Sequence, residues 1–341
     1  MALSEFQLIR RFFTHRAPGA VLGVGDDAAI VRARPGCDLV MTTDMLVAGR
    51  HFDAAADPER LGHKALAVNL SDMAAMGAEP RWTTLALALP RSDARWLAAF
   101  SRGFMRLARR HGVDLVGGDT TRGPLNICVQ VVGEVPRGRA LRRDGARAGD
   151  DVWVSGTLGD AALALAPGRL GLAPRDWRAL RLKLDAPTPR VGLGIALRGI
   201  ARSAIDVSDG LIADLGHICE RSRVAAEVEL DRVPVSAIVK RHFERPAARA
   251  AVLAGGDDYE LVFTAGRGER PAIVRLAGRM RLRLTRIGRI VRRRRGAAPV
   301  SVLRRDGKPL ALARGGYQHF ACLRPAIPCC SPARRSGRAG D

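Results

Sequence analysis

Apolar and polar positions along the chain alternate between helical and extended periodicities. Phe6, Ile9 and Phe13 recur at helical spacing, whereas residues 204–207 form a short apolar run typical of a strand. The pattern predicts helices over residues 4–16, 58–77, 93–111, 190–200, 211–220 and 236–251, and a turn and helix within 156–165. It predicts strands over residues 38–43, 83–89, 125–135, 152–155, 204–207, 225–230 and 259–264. Strands and helices are mixed throughout, so the predicted fold class is α/β or α+β.

A Gly- and Arg-rich segment, residues 136–151, interrupts this pattern before the alternation starts again. Such a segment is typical of a linker or an exposed loop. The length of 341 residues also suits two domains. We therefore expect an N-terminal domain over residues 1–138, a C-terminal domain over residues 149–322, and a basic, disordered tail over residues 323–341.

The net charge of +22 is concentrated near the C-terminal end, where residues 265–341 carry +17. The basic stretches of this region contain few aromatic residues on which nucleic-acid bases could stack. We therefore interpret the charge as a solvated surface and do not expect nucleic acid as a partner. A basic nucleic-acid-binding protein is the alternative from a different functional class.

The cysteines and the apolar runs exclude several other classes of protein. The six cysteines are scattered without a repeated CxxC, which excludes a zinc ribbon and argues against a disulfide framework. No apolar run approaches the ~18 residues that a membrane span needs. Residues 1–11 also lack the apolar core of a secretory signal. We therefore expect a protein of the reducing cytoplasm that does not bind membranes.

Aspartates recur in or beside short segments that contain Gly, Ser or Thr, and several of them follow a predicted strand. They are Asp26, Asp27, Asp44, Asp72, Asp119, Asp206, Asp209, Asp257 and Asp258. Any one of them could be an ordinary turn residue. A cluster of carboxylates repels itself unless cations neutralise it, and carboxylate oxygens together with phosphate oxygens suit Mg²⁺. The set therefore indicates a nucleotide site that uses several metal ions.

The familiar nucleotide-binding signatures are absent from the sequence. There is no GxxxxGK[ST] loop, and there is neither an HRD nor a DFG motif, which excludes a Walker-type NTPase and a protein-kinase fold. The segment Gly23-Val24-Gly25 lacks the third glycine of a dinucleotide fingerprint, and Asp26 and Asp27 would repel a pyrophosphate without metal. A different phosphate-handling fold is therefore expected.

Six segments, in order along the chain, carry a resemblance to a known family. They are GVGDDAA (23–29), TTDMLVAGRHF (42–52), KALAVNLSDMAAMGA (64–78), GGDTTRG (117–123), IDVSDGL (205–211) and GGDDYEL (255–261). In these segments the chain resembles the thiamine-monophosphate kinase family, in the superfamily of aminoimidazole ribonucleotide synthetase. One departure is that Asp257 stands where this family usually has Glu.

The resemblance implies a two-domain fold, with an N-terminal mixed-sheet domain that binds ATP and Mg²⁺ and a C-terminal α/β domain. It also implies a homodimer that phosphorylates thiamine monophosphate to thiamine diphosphate with ATP and several Mg²⁺ ions, without a covalent nucleophile on the protein. The implied metal ligands are Asp27, Thr42, Thr43, Asp44, Asp72, Asp119, Asp206 and Asp209. The implied ATP contacts are Gly118, Asp119, Arg143 and Ser208, and the implied substrate contacts are His51, Asp257 and Tyr317.

The nearest alternative is another ATP-dependent enzyme of the same superfamily. One such enzyme, selenophosphate synthetase, needs a reactive Cys or selenocysteine in an N-terminal glycine-rich loop. No cysteine precedes Cys37 in this chain, which argues against that enzyme.

Overall fold

The structure is a computed structural model that describes residues 4–165, 171–311 and 316. The first half contains α1 (Glu5–Leu8), a π-helical turn (Ile9–Phe13), β1 (Ala20–Leu22), β2 (Ile30–Val31), β3 (Cys37–Val47), α2 (Pro58–Ala75), β4 (Glu79–Leu89), α3 (Ala94–His111), β5 (Asp114–Arg122) and β6 (Asn126–Pro136). Four of these strands form a sheet in the order β3-β6-β4-β5, in which β4 and β5 are parallel and the other neighbours antiparallel. Strands β1 and β2 form a separate pair.

The second half builds a six-stranded sheet from the described residues. Its elements are β7 (Asp151–Ser155), α4 (Asp160–Ala164), α5 (Pro174–Asp185), α6 (Val191–Ala196), β8 (Ser203–Asp206), α7 (Leu211–Ser222), β9 (Val224–Glu229), α8 (Ala237–His242), α9 (Pro246–Ala254), β10 (Leu261–Ala265), α10 (Arg270–Met280), β11 (Leu284–Arg292) and β12 (Val300–Leu303). The strand order is β12-β9-β11-β7-β10-β8, and only β12 and β9 are parallel neighbours.

The second sheet is covered on both faces. Every residue of β7 is buried, and its side chains alternate between two apolar cores. Trp153 belongs to a core that also contains Leu66 and Phe100 from the first half. Val152 and Val154 belong to a core formed within the second half. The two halves of the chain therefore share one core, which holds the ends of β8 and β10 close to α2.

Helix α2 is the central element of this shared core. Its N-cap is Asp57, whose side chain accepts a hydrogen bond from the Arg60 backbone N–H, and Pro58 occupies the first turn. Its backbone lies very close to two other helices. A Cβ at Gly103 of α3 would collide with the Glu59 carbonyl of α2, and a Cβ at Gly194 of α6 would collide with the Ala74 carbonyl. Only glycine permits these contacts.

Two predicted boundaries are wrong. The strand predicted over 38–43 continues to Val47 and pairs with β6 along its whole length, so Thr42, Thr43 and Asp44 lie inside β3 rather than at its end. The single helix predicted over 236–251 is two helices, α8 and α9. Pro246 begins the second helix because its ring fixes φ and it has no N–H to donate.

Residues 137–150, within the predicted linker, contain no regular helix or strand. They include the buried side chains of Leu141 and Ala146, so this connection packs on the protein. Elements α5, α10, β11 and β12 were not predicted. Cys37, Cys128 and Cys219, the cysteines within the described part of the chain, are free thiols. No helix in that part has both the length and the apolar character needed to span a membrane.

Candidate active site

Three aspartates from three elements meet where the halves touch. Strand β3 supplies Asp44, helix α2 supplies Asp72, and the end of β8 supplies Asp206. The hydroxyl of Thr42, also on β3, donates a hydrogen bond to Asp72, and the hydroxyl of Ser71 donates one of 2.7 Å to Asp206 Oδ2. The sequence prediction that these aspartates cluster is therefore met for Asp44, Asp72 and Asp206.

Burial of the three carboxyl groups close together disfavours their ionised forms. Burial, followed by the negative charge of Asp72, raises the pKa of Asp44 to about 7. Burial and the charge of Asp72 raise the pKa of Asp206 to about 8. Burial also raises the pKa of Asp72, although its hydrogen bond from Thr42 and the charge of Arg143 oppose this shift. An added positive charge would lower all three pKa values and favour the ionised carboxylates.

A cavity of about 540 Å³ opens beside this cluster. It is bordered by Thr43, Asp44, His51, Asp72, Asp206, Ser208, Asp209 and Asp257, all of which the resemblance assigns to the site. Along β3, Thr42 and Asp44 are partly buried and Thr43 is exposed, as expected from the alternation of side chains in a strand. Most of the implied site residues of the described chain thus share one cavity.

The loop that carries Ser208 and Asp209 is hydrogen-bonded to the side chain of Asp214. The Asp214 carboxylate accepts hydrogen bonds from three successive backbone N–H groups, those of Ser208 (3.1 Å), Asp209 (3.1 Å) and Gly210 (3.0 Å). Burial, followed by the charge of Asp209, raises the pKa of Asp214 to about 7, while these backbone bonds oppose the shift. The loop therefore has a defined conformation before any ligand binds.

Asp257 has protein partners at this cavity. Its Oδ1 lies 2.9 Å from Nζ of Lys64 and accepts a 3.0 Å hydrogen bond from the Tyr259 hydroxyl. Asp257 and Tyr259 both have positive φ, 66° and 51°, which is uncommon for residues other than glycine. The backbone N–H of Asp257 donates to the Ser208 carbonyl (2.9 Å), which ties this segment to the Ser208 loop.

Asp27, Gly118 and Asp119 are not in this cavity. They border a second cavity of about 800 Å³, between the Gly23–Asp27 turn and β5. Residues 117–119 do not form a turn, as a Gly-Gly-Asp segment would suggest, because they pair with β4 as part of β5. Gly118 has a φ of +150°, and a Cβ there would collide with the Leu85 carbonyl, so the position requires glycine.

The remaining predicted residues are placed as follows. His51 lies in the turn after β3, where its Nδ1 accepts a hydrogen bond from the Val47 backbone N–H (3.0 Å), which favours the tautomer with its proton on Nε2. Arg143 is exposed in the connection between the halves, and its charge acts on Asp72. Tyr317 lies outside the described residues.

The side chains of the aspartate cluster offer only oxygen atoms as metal ligands. Within residues 4–165, 171–311 and 316, no three His, Cys, Asp or Glu side chains are arranged to hold a metal ion by themselves. Mg²⁺ commonly takes only one or two protein carboxylates and completes its shell with phosphate oxygens and water. The all-oxygen set and the mutual repulsion of Asp44, Asp72 and Asp206 therefore fit Mg²⁺ bound together with a nucleotide.

Sequence reasoning missed the supporting residues Lys64, Ser71, Asp214 and Tyr259. Only Lys64 carried a signal in the sequence, because it is a lone charge at the start of the apolar run 65–68 of α2. The partners of Ser71 and Asp214 are set by the fold and have no local signature in the sequence.

The chain is similar to known proteins over most of its length. Residues 25–135 match the family model described as AIR synthase related protein, N-terminal domain. Thiamine-monophosphate kinase of Escherichia coli strain K12 is 45% identical over 327 residues, covering 94% of this chain and 99% of the relative.

Two solved structures are also similar over nearly their whole length. The crystal structure of thiamine-monophosphate kinase from Stenotrophomonas maltophilia K279a has a TM-score of 0.81 and 50% identity, covering 91% of this chain and 99% of that one. AaThiL complexed with AMPPCP and TMP has a TM-score of 0.73 and 32% identity, covering 92% of this chain and 96% of that one. These likenesses confirm the expected α/β fold class of the aminoimidazole ribonucleotide synthetase type. With identities of this size over nearly the full chain, the protein belongs to the thiamine-monophosphate kinase family.

Proposed function

We propose that this protein transfers a phosphoryl group from ATP directly to the phosphate of thiamine monophosphate, with the help of several Mg²⁺ ions, to give ADP and thiamine diphosphate. The observation that carries the proposal is the cluster of Asp44, Asp72 and Asp206 on the wall of one cavity, where burial raises all three pKa values and the charge of Asp72 raises those of Asp44 and Asp206 further. Cations would stabilise the ionised form of such a cluster, and phosphoryl transfer uses cations to neutralise the charge of the phosphate oxygens.

Family membership supports the coarser part of this proposal, which is ATP-dependent phosphorylation of thiamine monophosphate. A similar protein was solved with AMPPCP, an ATP analogue, and TMP together. These findings favour a kinase over both alternatives, another enzyme of the superfamily and a nucleic-acid-binding protein. The scattered cysteines of the sequence support a cytoplasmic location as part of the same proposal.

Mg²⁺ would be held by the carboxylates and hydroxyls of both cavities: Asp27, Thr42, Thr43, Asp44, Asp72, Asp119, Asp206 and Asp209. When bound, the metal supplies positive charge that neutralises the phosphate oxygens of nucleotide and acceptor. The hydrogen bonds from Thr42 and Ser71 orient Asp72 and Asp206 for this role. Orientation of ligands by a surrounding shell of this kind tunes metal affinity.

The nucleotide would contact Gly118, Asp119, Arg143 and Ser208. Gly118 has no side chain, so its backbone lines the second cavity directly. The guanidinium of Arg143 can bind phosphate oxygens. Arg143 is anchored through its carbonyl oxygen, which accepts a 2.8 Å hydrogen bond from the Ser222 hydroxyl of α7. Its guanidinium therefore starts from a fixed backbone position near Asp72.

The acceptor would contact His51, Asp257 and Tyr317. The first two border the cavity with Asp44 and Asp72, whereas Gly118 borders the second cavity. The acceptor phosphate is already an anion and needs no general base to become a nucleophile. The protein therefore has to position two phosphates and neutralise them, and no phosphoenzyme is expected.

A homodimer is part of the same proposal, and strand β3 supports it. It is the edge strand of the first sheet, and three apolar side chains on its outer face, Leu39, Met41 and Met45, are 48%, 68% and 53% exposed, with Thr43 between the last two. A row of exposed apolar side chains on an edge strand invites pairing with another chain. A second copy that presents the same strand would cover this row by two-fold symmetry.

An assay of ADP release tests the activity. Thiamine monophosphate, free thiamine and unrelated phosphate monoesters are compared as acceptors, with Mg²⁺ and with a chelator. ADP release that depends on both thiamine monophosphate and Mg²⁺ is expected, together with thiamine diphosphate by chromatography. Equal release with unrelated phosphate esters, or undiminished release in chelator, contradicts the proposal.

A further inference from the structure

Among the described residues, Lys64 is the one lysine whose side chain is buried. Its side chain is only 4% exposed, and Nζ lies 2.9 Å from Asp257 Oδ1. A buried ammonium is costly unless it is paired, so this contact has to persist in the folded protein. The pair connects α2 in the first half of the chain with the segment before β10 in the second half.

Lys64 shares a face of α2 with a proposed metal ligand. Lys64, Val68 and Asp72 follow one another at intervals of four residues and so form one stripe along the helix. Val68 and Asp72 border the cavity beside the aspartate cluster, and Lys64 borders an adjoining cavity together with His51. The rise of an α-helix separates Lys64 from Asp72 by about 12 Å along this stripe. One rigid helix therefore fixes both ends of the proposed site.

The partner of Lys64 lies in a strained segment. Asp257 and Tyr259 both adopt positive φ, which costs free energy for residues with a Cβ and persists only where surrounding contacts impose it. Two backbone hydrogen bonds impose it here, from Asp257 N–H to the Ser208 carbonyl and from Tyr259 N–H to the Val207 carbonyl, each 2.9 Å long. The position of Asp257 is therefore linked to that of Ser208.

The carboxylate of Asp257 already has two partners, Lys64 and the Tyr259 hydroxyl, both at the same oxygen. Its second oxygen, Oδ2, is the one that faces neither of them. The aspartate side chain is short, so a lysine that reaches it across the contact between the halves fixes its rotamer. The ion pair with Lys64 therefore fixes the orientation of the carboxylate that an approaching acceptor would contact, and it partly neutralises the charge of that carboxylate.

We propose that Lys64 is a positioning residue that orients Asp257 toward the acceptor and thereby sets the affinity for thiamine monophosphate but not for ATP. The proposal rests on the proposed function. It assigns to Lys64 an effect exerted through Asp257, without contact to the reacting atoms.

The test compares three variants of the full-length protein with the wild type. Lys64→Met keeps the length of the side chain without its charge. Lys64→Met/Asp257→Asn also removes the negative charge that the first change leaves without its ammonium partner. Lys240→Met is the matched control, because Lys240 is exposed on α8, away from the cavity. Melting temperature, kcat, and the Michaelis constants for thiamine monophosphate and ATP are measured for each.

Lys64→Met is expected to lower the melting temperature and to raise the Michaelis constant for thiamine monophosphate about tenfold, with that for ATP changed less than about twofold. The double variant is expected to regain most of the melting temperature while keeping the raised constant for thiamine monophosphate. Lys240→Met should match the wild type in all four quantities.

Two results would overturn the proposal. If the double variant regains both the melting temperature and the Michaelis constant, the pair serves stability alone. If Lys64→Met changes the constants for both substrates equally, or neither, Lys64 does not act on the acceptor. Failure of the proposed function is distinguished from both, because the wild type itself would then release no ADP with thiamine monophosphate.

Discussion

The hydroxyl of Ser71 donates a 2.7 Å hydrogen bond to Asp206, a residue 135 positions further along the chain. Both side chains are buried, and the bond crosses from α2 to the end of β8. Ser71 precedes Asp72, so the same turn of α2 supplies one member of the aspartate cluster and restrains another. The geometry of the cluster therefore depends directly on the contact between the two halves of the chain.

Removal of this hydrogen bond should affect both stability and turnover. Ser71→Ala leaves the buried Asp206 carboxyl without its hydroxyl partner, which should cost about 1–3 kcal/mol of unfolding free energy. We also expect kcat to fall about tenfold because Asp206 is no longer oriented. Urea denaturation and the ADP-release assay measure these two effects.

The matched control for that change is Ser101→Ala. Ser101 is also buried, and its hydroxyl donates to the Phe12 carbonyl and to no aspartate of the cluster. This variant should lose a similar amount of stability with kcat unchanged. Equal loss of kcat in both variants would mean that turnover follows stability and that the Ser71 bond has no special part in the site.

Asp72→Asn tests the proposed metal ligand itself. The variant should lose at least about 10³-fold in kcat, as expected when a group that stabilises charge in the transition state is removed. Its melting temperature should not fall, because Asp72 is a source of repulsion for both Asp44 and Asp206. Asp38→Asn, at an exposed position of β3, is the control. Near-normal turnover of Asp72→Asn would remove this residue from the site.

A histidine on α2 predicts how stability depends on pH. The imidazole of His63 lies with Nε2 2.8 Å from the Pro187 carbonyl oxygen. Burial lowers the pKa of His63, and the positive charges of Arg106 and Arg110 lower it further, against the opposing effect of the Pro187 hydrogen bond. The folded state therefore binds a proton on His63 less tightly than the unfolded state does.

The sign of the effect follows from this difference. The contribution of His63 to stability is present above the unfolded pKa of about 6.5 and is lost as the pH falls through that value toward the lower folded pKa. The raised pKa values of Asp44, Asp206 and Asp214 act in the opposite direction over the same range, so the wild type has to be compared with His63→Gln by urea denaturation at several pH values between about 5 and 8. The unfolding free energy of the wild type relative to that of His63→Gln should fall with acid, since glutamine can donate to Pro187 but does not titrate. A difference that does not change with pH would mean that His63 makes no contribution to the pH dependence.

The exposed face of β3 predicts the oligomeric state. Met41→Lys places a charge in the centre of the apolar row formed by Leu39, Met41 and Met45, so it should convert a dimer to a monomer. Light scattering after size-exclusion chromatography measures the mass directly. Val274→Lys is the control, because Val274 is 63% exposed on α10 and lies outside this row. A wild-type monomer at assay concentrations would contradict the proposed dimer.

The cluster of Asp44, Asp72 and Asp206 was predictable from sequence because each lies in a recognisable motif. Their surroundings were less so. The segment Thr42–Asp44 suggested a strand end because polar residues usually mark one, yet pairing with β6 carries β3 on through Met45, Leu46 and Val47. Tertiary pairing overrode the local signal.

The C-terminal region shows a different limit of sequence reasoning. In β11, buried Ile287 and Ile290 are surrounded by arginines, so the strand pattern is weak until the sheet is known. The Lys64–Asp257 pair could not be predicted for another reason. It depends on how the two halves meet, and neither residue carries a sequence signal of its partner.

The close backbone contacts of α2 have a consequence for how far this sequence can diverge. Gly103 and Gly194 face α2 from opposite halves of the chain, and neither position has space for a single methyl group. A saturation mutagenesis screen scored by growth would therefore find both glycines as intolerant of replacement as the aspartates. The cause would be different, because neither glycine borders a cavity of the site. Intolerance to mutation in this protein thus identifies two kinds of position. Some contact the phosphates, and others permit the close packing that fixes the position of α2.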